Sequence, residues 1–144
     1  MTRRLGKQIG MRIAIRNLQR KVRIDCQALQ RFAEGAFGKI PNHSLGEIDV
    51  LLISDRRMAT LHRRFMNIAG PTDVITFQHG EIFISAETAK RNARRFHNSI
   101  ADEVQLYLVH GLLHLCGFDD KTAPDARKME KAQARIIKAA RRAV

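Results

Sequence analysis

The sequence is poor in the residues that mark several common classes of protein. Among its 144 residues are no tryptophan, one tyrosine, two cysteines and three prolines. Cys26 and Cys116 lie far apart within apolar helical patterns, which predicts buried, reduced thiols in a cytosolic protein. Most of the seven phenylalanines fall on predicted core stripes. Base stacking is therefore not expected to dominate any contact with nucleic acid.

Long hydrophobic runs are also absent. The longest, from Leu106 to Cys116, is interrupted by two histidines, so no membrane span is expected. Residues 1–10 carry charge but are not followed by the apolar segment that a secretory signal needs. An arginine-rich start without acids would also suit an organellar transit peptide, but the period-two alternation of residues 11–16 favours a first strand. We therefore expect a cytoplasmic protein.

Acidic residues are scarce. The chain has 26 lysines and arginines against 14 aspartates and glutamates, so its formal net charge is +12. Such an excess predicts attraction to polyanions, and RNA or the ribosome is the natural partner, with no small-molecule ligand expected. An N-terminal arm and one face of the last predicted helix could supply contacts to an RNA backbone; the arm carries Arg3, Arg4, Lys7 and Arg12.

Apolar periodicity and capping residues predict one domain over residues 1–144. The four expected strands are 11–17, 47–54, 74–77 and 81–84, the last two forming an antiparallel hairpin. About five helices should follow caps at Asp25, at Ser54 or Asp55, at Ser85, at Ser99 and near Thr122.

The inward face of the second predicted helix is expected to carry Met58, Leu61, Phe65 and also Met66. The helix after Ser99 is apolar nearly all round and should be buried. The order of elements favours an α+β or α/β fold, in which a mixed sheet of about four strands packs against the helices.

One stretch, from His110 to Asp120, carries the pattern that points to chemistry. Its two histidines are four residues apart on a predicted helix, close enough to share a metal ion. Gly117 can take the left-handed conformation that ends a helix and turns the chain back. The turn would bring Asp120, or alternatively Asp119, to the imidazoles. Two nitrogens, one carboxylate and a position left for water form a catalytic rather than a structural zinc layout.

This spacing is the zincin pattern H-E-x-x-H-x-x-G-x-x-H with two changes. Gly111 stands where a peptidase has its catalytic glutamate, which argues against a zincin-like peptidase. Asp120 stands where the third histidine would be, and a carboxylate ligand makes the site friendlier to Mn²⁺. Two alternatives remain: a two-histidine, one-carboxylate oxygenase, although such sites usually lie in β-barrels, and histidines that are only satisfied polar groups.

The same stretch resembles H-G-x-L-H-L-x-G-Y-D-H, a signature of the YbeY family of bacterial metal-dependent endoribonucleases. Residues 71–77, P-T-D-V-I-T-F, resemble that family's P-T-D-V-L-S-F, and residues 80–85, G-E-I-F-I-S, resemble its G-D-I-x-I-S. Two positions depart from the family: Asp120 replaces its third histidine ligand, and Met66 stands where it tends to carry an arginine.

The resemblance implies an α+β fold with a zincin-like metal helix. It also implies a metal-dependent endoribonuclease of the single-strand type, acting in rRNA maturation, at the 3′ end of 16S rRNA, and in ribosome quality control. One zinc ion, or Mn²⁺ or another divalent cation in its place, is expected on His110, His114 and Asp120. A ribosome- or RNA-binding factor with a structural or silent metal site is the alternative function.

Further site residues follow from the motifs and their neighbourhood. Asp119 is a candidate general base, although adjacent acids also occur in solvated turns. Arg63 and Arg64 are candidates to contact substrate phosphate in place of the missing arginine, with a solvated helix face as the alternative. Asp73 and Ser85 could line the substrate cleft, or could serve only turn and cap chemistry. The four other histidines, His43, His62, His79 and His97, are expected at the surface or in loops. Of these, His62 and His79 are weaker site candidates.

Overall fold

The computed structural model describes residues 12–40 and 45–142, so Arg3, Arg4, Lys7, Met11 and His43 lie outside the described residues. The elements, in chain order, are β1 (Arg12–Asn17), α1 (Cys26–Lys39), β2 (Glu47–Ile53), α2 (Asp55–Met66), β3 (Val74–Phe77), β4 (Glu81–Ser85), α3 (Ala86–Phe96), α4 (Ile100–Leu115) and α5 (Ala123–Arg142).

Helix starts are set by short polar side chains, as the sequence predicted. The side-chain oxygen of the cap accepts a hydrogen bond from the backbone N–H three residues on at Asp25, Ser54, Ser85 and Ser99. Each bond satisfies one of the N–H groups that the first helical turn leaves without an intrahelical partner. Thr122 does the same for α5, accepting from the backbone N–H of Asp125 at 3.2 Å.

The four strands form one mixed sheet in the order β1-β2-β4-β3. β1, β2 and β4 run parallel, while β3 pairs antiparallel with β4 and lies at the edge of the sheet. β2 is nearly buried along its length, as its unbroken apolar run predicted. The predicted α+β class, the four strands, the hairpin and the five helices are therefore confirmed.

The sheet separates a large core from a small one. Helices α1, α4 and α5 build the large core on one face, where Leu108, Leu112 and Leu113 of α4 are fully buried. Helix α2 covers the other face with a small cluster around Met58 and Ile75. Within the described residues, no helix is long and apolar enough to cross a membrane.

Three expectations about burial are wrong. Phe65 and Met66 do not face inward but are 56% and 48% exposed. The small core beneath α2 is filled by Met58 and flanked by Leu61, so the last turn of this helix extends past it. The thiols of Cys26 and Cys116 are half-buried rather than fully buried, since both lie at the border of the large core.

Candidate metal centre

The candidate centre is built on α4, which lies unusually close to the sheet at Gly111. A Cβ atom added there would come within 2.8 Å of Ile82 Cγ2 and 3.2 Å of Thr76 Cγ2. Any larger side chain at this position would therefore collide with β3 and β4. The glycine lets the helix seat directly on the strands, and it leaves no room for the glutamate of a zincin peptidase.

A glycine turn at the end of α4 reverses the chain. Gly117 has φ +99°, and its N–H donates to the His114 carbonyl at 3.0 Å, while the N–H of Phe118 donates to the Leu113 carbonyl at 3.0 Å. These two bonds are those of a Schellman motif. The turn delivers the following residues, including Asp120, back towards the face of α4 that carries the histidines.

Three side chains meet at this reversal, as the sequence predicted. The Nε2 atoms of His110 and His114 lie 3.0 Å apart, and Asp120 Oδ2 is 3.9 Å from His110 Nε2. One ligand atom from each of the three residues falls within 4.8 Å of the others. Both imidazoles are half-buried, whereas the Asp120 carboxylate is 51% exposed. The group is thus partly shielded from solvent on its imidazole side and open to solvent on its carboxylate side.

Both imidazoles are oriented through the nitrogen that faces away from the group. His110 Nδ1 donates to Gln133 Oε1 at 2.5 Å, and His114 Nδ1 donates to the Phe118 carbonyl at 3.0 Å. Each partner oxygen can only accept, so Nδ1 of each ring carries a proton. The Nε2 atoms of the two rings are left facing one another.

This arrangement fits a divalent cation. Two Nε2 atoms this close need an electron-pair acceptor between them, either a proton shared by the two rings or a metal ion. Two nitrogens bound at about 2.0–2.1 Å to one tetrahedral zinc ion lie roughly 3.4 Å apart, close to the spacing seen here. The N–H groups turned outward to protein oxygens are the usual supports of histidine ligands.

A solvent-accessible cavity of about 180 Å³ opens beside the group. It is lined by His110 and Asp120 and, from α5, by Ala126, Met129, Glu130 and Gln133. A substrate group could enter here and reach the imidazoles and the carboxylate. The exposed carboxylate of Glu130 therefore lies on the wall of the same cavity.

The other predicted acidic residue does not join the group. The Asp119 carboxylate accepts from the backbone N–H of Lys121 at 3.2 Å, in a local turn. It lines a separate hollow with Cys116, Phe118 and Lys128, among others. Cys116 lies outside the candidate metal group as well, and burial raises the pKa of its thiol.

Asp73 and Ser85 bond to protein groups outside the candidate metal group. Asp73 Oδ1 accepts from the backbone N–H of Val74 at 2.7 Å, which is turn chemistry. Ser85 is fully buried, and its hydroxyl caps α3 while donating to Asp55 Oδ1 at 2.6 Å. Burial works to raise the pKa of Asp55, but hydrogen bonds from Arg91, Ser85 and Thr88 outweigh it and leave that pKa lowered.

Arg63 and Arg64 lie on the exposed face of α2, outside the candidate metal group. Together with Arg56 they line an open hollow of about 550 Å³, which also includes Thr60 and Gly70. Two of the scattered histidines have local partners: His62 Nδ1 contacts the Gly70 carbonyl at 2.9 Å, and His79 Nε2 contacts Glu81 Oε1 at 2.8 Å. His97 ends α3 in the left-handed conformation.

Sequence reasoning missed Gln133 and Glu130. A signal for Gln133 was present, because it follows the buried Met129 by four residues and so shares the inward face of α5. A polar residue on such a face needs a buried partner. Nothing local indicated that the partner would be His110, which lies 23 residues earlier.

Comparison with known proteins gives one consistent result. The family model described as "Endoribonuclease YbeY" matches residues 14–141. A protein of that name from Thermobifida fusca is 33% identical over 137 residues, covering 83% of this chain and 88% of its own. Another, from Syntrophus aciditrophicus, is 31% identical over 130 residues and 81% of each chain.

A solved structure supports the fold. The solution structure of TM1509 from Thermotoga maritima matches 89% of this chain and 88% of its own, with a TM-score of 0.64 and 24% identity. At that identity the likeness concerns the architecture alone. The mixed sheet and its covering helices are therefore shared with a protein of distant sequence.

Proposed function

Because the chain belongs to the endoribonuclease YbeY family, we propose that it is a metal-dependent endoribonuclease acting on ribosomal RNA. The observation that carries this proposal is the pair of Nε2 atoms, which lie 3.0 Å apart with a carboxylate beside them. Maturation of the 3′ end of 16S rRNA, ribosome quality control and a cytoplasmic location belong to the same proposal. They rest on family membership rather than on geometry.

The proposed ligands are His110, His114 and Asp120. Zinc is the metal that this ligand set suits best, and the carboxylate also makes the site acceptable to Mn²⁺. A divalent cation held there would supply Lewis acidity towards a phosphoryl oxygen and towards water. Gln133 and the Phe118 carbonyl keep both rings in the tautomer that a ligand needs. The cavity beside Asp120 admits the scissile phosphate from the solvent side.

A general base has two candidates. Asp119 was expected from the sequence, and its carboxylate accepts a backbone N–H in a turn. Glu130 lines the cavity together with two of the proposed ligands. Comparing Asp119→Asn with Glu130→Gln separates them, because the variant that lacks the base should lose about 10²–10⁴-fold in cleavage rate while still binding metal.

Arg63 and Arg64 are proposed to contact the substrate phosphates that lie away from the cleaved bond. Both guanidinium groups are exposed and line one hollow with Arg56, so together they could contact the RNA backbone. This placement supports the idea that the arginine missing at Met66 is replaced from the preceding helical turn. If Arg63→Ala and Arg64→Ala leave RNA binding and cleavage unchanged, the replacement idea is wrong.

A nuclease assay on the pure protein tests the activity. End-labelled ribosomal RNA fragments should be cut internally with added Zn²⁺ or Mn²⁺, and chelator or His114→Ala should stop the cleavage. Equal cleavage by wild type and His114→Ala would identify a contaminant and overturn the proposal. RNA binding without any metal-dependent cleavage would instead favour an RNA- or ribosome-binding factor whose metal site is silent.

A further inference from the structure

The geometry points to a base-stacking site at Phe65, where an unpaired base of single-stranded RNA lies on the exposed ring while its phosphates contact the arginines beside it. This inference rests on the proposed function, since it names the surface that would hold the RNA substrate. It departs from the sequence-based expectation, which placed this ring in the core.

Phe65 is held as a stacking platform would be. Its side chain is 56% exposed, and α2 ends one residue later, at Met66. The ring packs edge-to-face on Phe77, with centroids 5.0 Å apart, and Phe77 in turn contacts Phe83 and His79. An exposed ring that is already fixed by a neighbour loses little conformational entropy when a base stacks on it.

The surroundings of the ring are cationic and apolar in the combination that a nucleotide needs. The Arg64 guanidinium lies 5.7 Å from the centre of the Phe65 ring and also lines the hollow that includes Arg56 and Arg63. Met66 and Ile68, one and three residues after Phe65, are 48% and 50% exposed, and together they are called the apolar rim. Arginine contributes both phosphate contacts and cation–π contacts to bound single strands.

The edge strand β3 connects this platform to the metal centre. Thr76 faces α4, where its methyl group approaches Gly111, the neighbour of His110. Phe77, the next residue, faces the opposite side and carries the Phe65 ring. A single strand that passes around the sheet edge at β3 would therefore run from the Phe65 ring to α4, the helix that carries His110 and His114.

Charge argues for RNA rather than a protein on this surface. Three arginines line one hollow on α2, and the formal net charge of the chain is +12. A hydrophobic protein partner would have to bury the apolar rim together with these guanidinium groups, which is costly unless each is paired. A polyanion with unpaired bases satisfies the arginines and the ring together.

The test is binding of a 2-aminopurine-labelled single-stranded RNA to the full chain, with chelator present to prevent cleavage. The protein has no tryptophan, so the probe fluorescence can be followed directly. Phe65→Leu keeps an apolar side chain but removes the π face. We expect it to weaken binding by about 5-fold or more and to abolish the quenching that stacking causes.

The chain offers a matched control at Phe96. This ring is 57% exposed and has the Arg95 guanidinium 5.4 Å from its centre, but Arg95, unlike Arg64, is not among the residues that line the arginine hollow. Phe96→Leu should leave affinity and quenching unchanged. An oligonucleotide with abasic positions should bind wild type and Phe65→Leu equally.

Salt dependence separates the ring from the arginines. Arg63→Gln should reduce the slope of log affinity against log salt by about 0.7, whereas Phe65→Leu should leave the slope unchanged. Wild-type affinity and quenching in Phe65→Leu, or equal losses in Phe65→Leu and Phe96→Leu, would overturn the stacking site. Metal-dependent cleavage measured on the same variants tests the nuclease proposal separately, so either can fail alone.

Discussion

Gln133 offers the sharpest test of how the candidate centre is organised. Its Oε1 accepts from His110 Nδ1 at 2.5 Å and so holds the ring with Nε2 directed at His114. In Gln133→Leu the ring loses this acceptor while a side chain of similar size still fills the site. Losses of such outer partners typically lower metal affinity by about 10–100-fold, so we expect a decrease in that range for Zn²⁺.

The assay is competition for Zn²⁺ against a chromogenic chelator at fixed pH. Gln133→Glu is the informative partner variant, because a carboxylate in the same place accepts more strongly and should keep or raise the affinity. Gln105→Leu serves as the matched control: this glutamine accepts from Arg141 Nε at 2.8 Å on the exposed side of the molecule. Unchanged zinc affinity in Gln133→Leu would refute the role that the geometry gives to this residue.

Three further predictions concern the stability of the fold that holds the centre. Gly111→Glu should lower the free energy of unfolding by about 3 kcal/mol or more, because the carboxylate would be forced against β3 and β4; a stable variant that digests casein would contradict this. Gly117→Ala should cost about 1–2 kcal/mol through its positive φ alone, since no atom lies within 4 Å of the added carbon; urea denaturation measures it, and an unchanged midpoint would count against the turn. Asp55→Ala should cost about 1–3 kcal/mol, because the buried hydroxyl of Ser85 loses its acceptor. The folded-state pKa of Asp55 is lowered from 3.8, so its contribution to the free energy of unfolding is present above about pH 4 and is lost as pH falls through the lower folded pKa. Denaturation as a function of pH should therefore show less acid sensitivity in Asp55→Ala than in the wild type. An identical pH profile would refute this assignment.

The sequence was most informative where local chemistry decides the structure. The serine and aspartate caps, the apolar run of β2 and the glycine turn after His114 each follow from a few neighbouring residues. For the same reason the meeting of His110, His114 and Asp120 could be predicted, since all three lie within one helix and one reversal.

Features that depend on distant packing could not be read in this way. The period of α2 places Phe65 on the inward face, but periodicity carries no information about where the small core under that helix ends. Gln133 orients His110, a residue 23 positions earlier in the sequence, only because α5 packs against α4. The glycine at position 111 suggested a missing peptidase base, whereas its cause is the close approach of α4 to β3 and β4.

The wrong core assignment of Phe65 has a consequence for function. A core assignment for Phe65 left the predicted RNA surface without an aromatic residue, and the exposed ring restores one. It lies beside the arginines that the sequence had already selected, with Arg64 common to both features. The basic surface and the metal centre thus become two parts of one proposed route for a single strand.

The most direct test of the central claim is metal content by elemental analysis after equilibration with Zn²⁺ and removal of free ion. The account predicts one equivalent in the wild-type protein and none in His110→Ala or Asp120→Ala, with both variants folded by circular dichroism. A wild-type protein that retains no metal would contradict it, and so would an Asp120→Ala variant that retains a full equivalent at wild-type affinity.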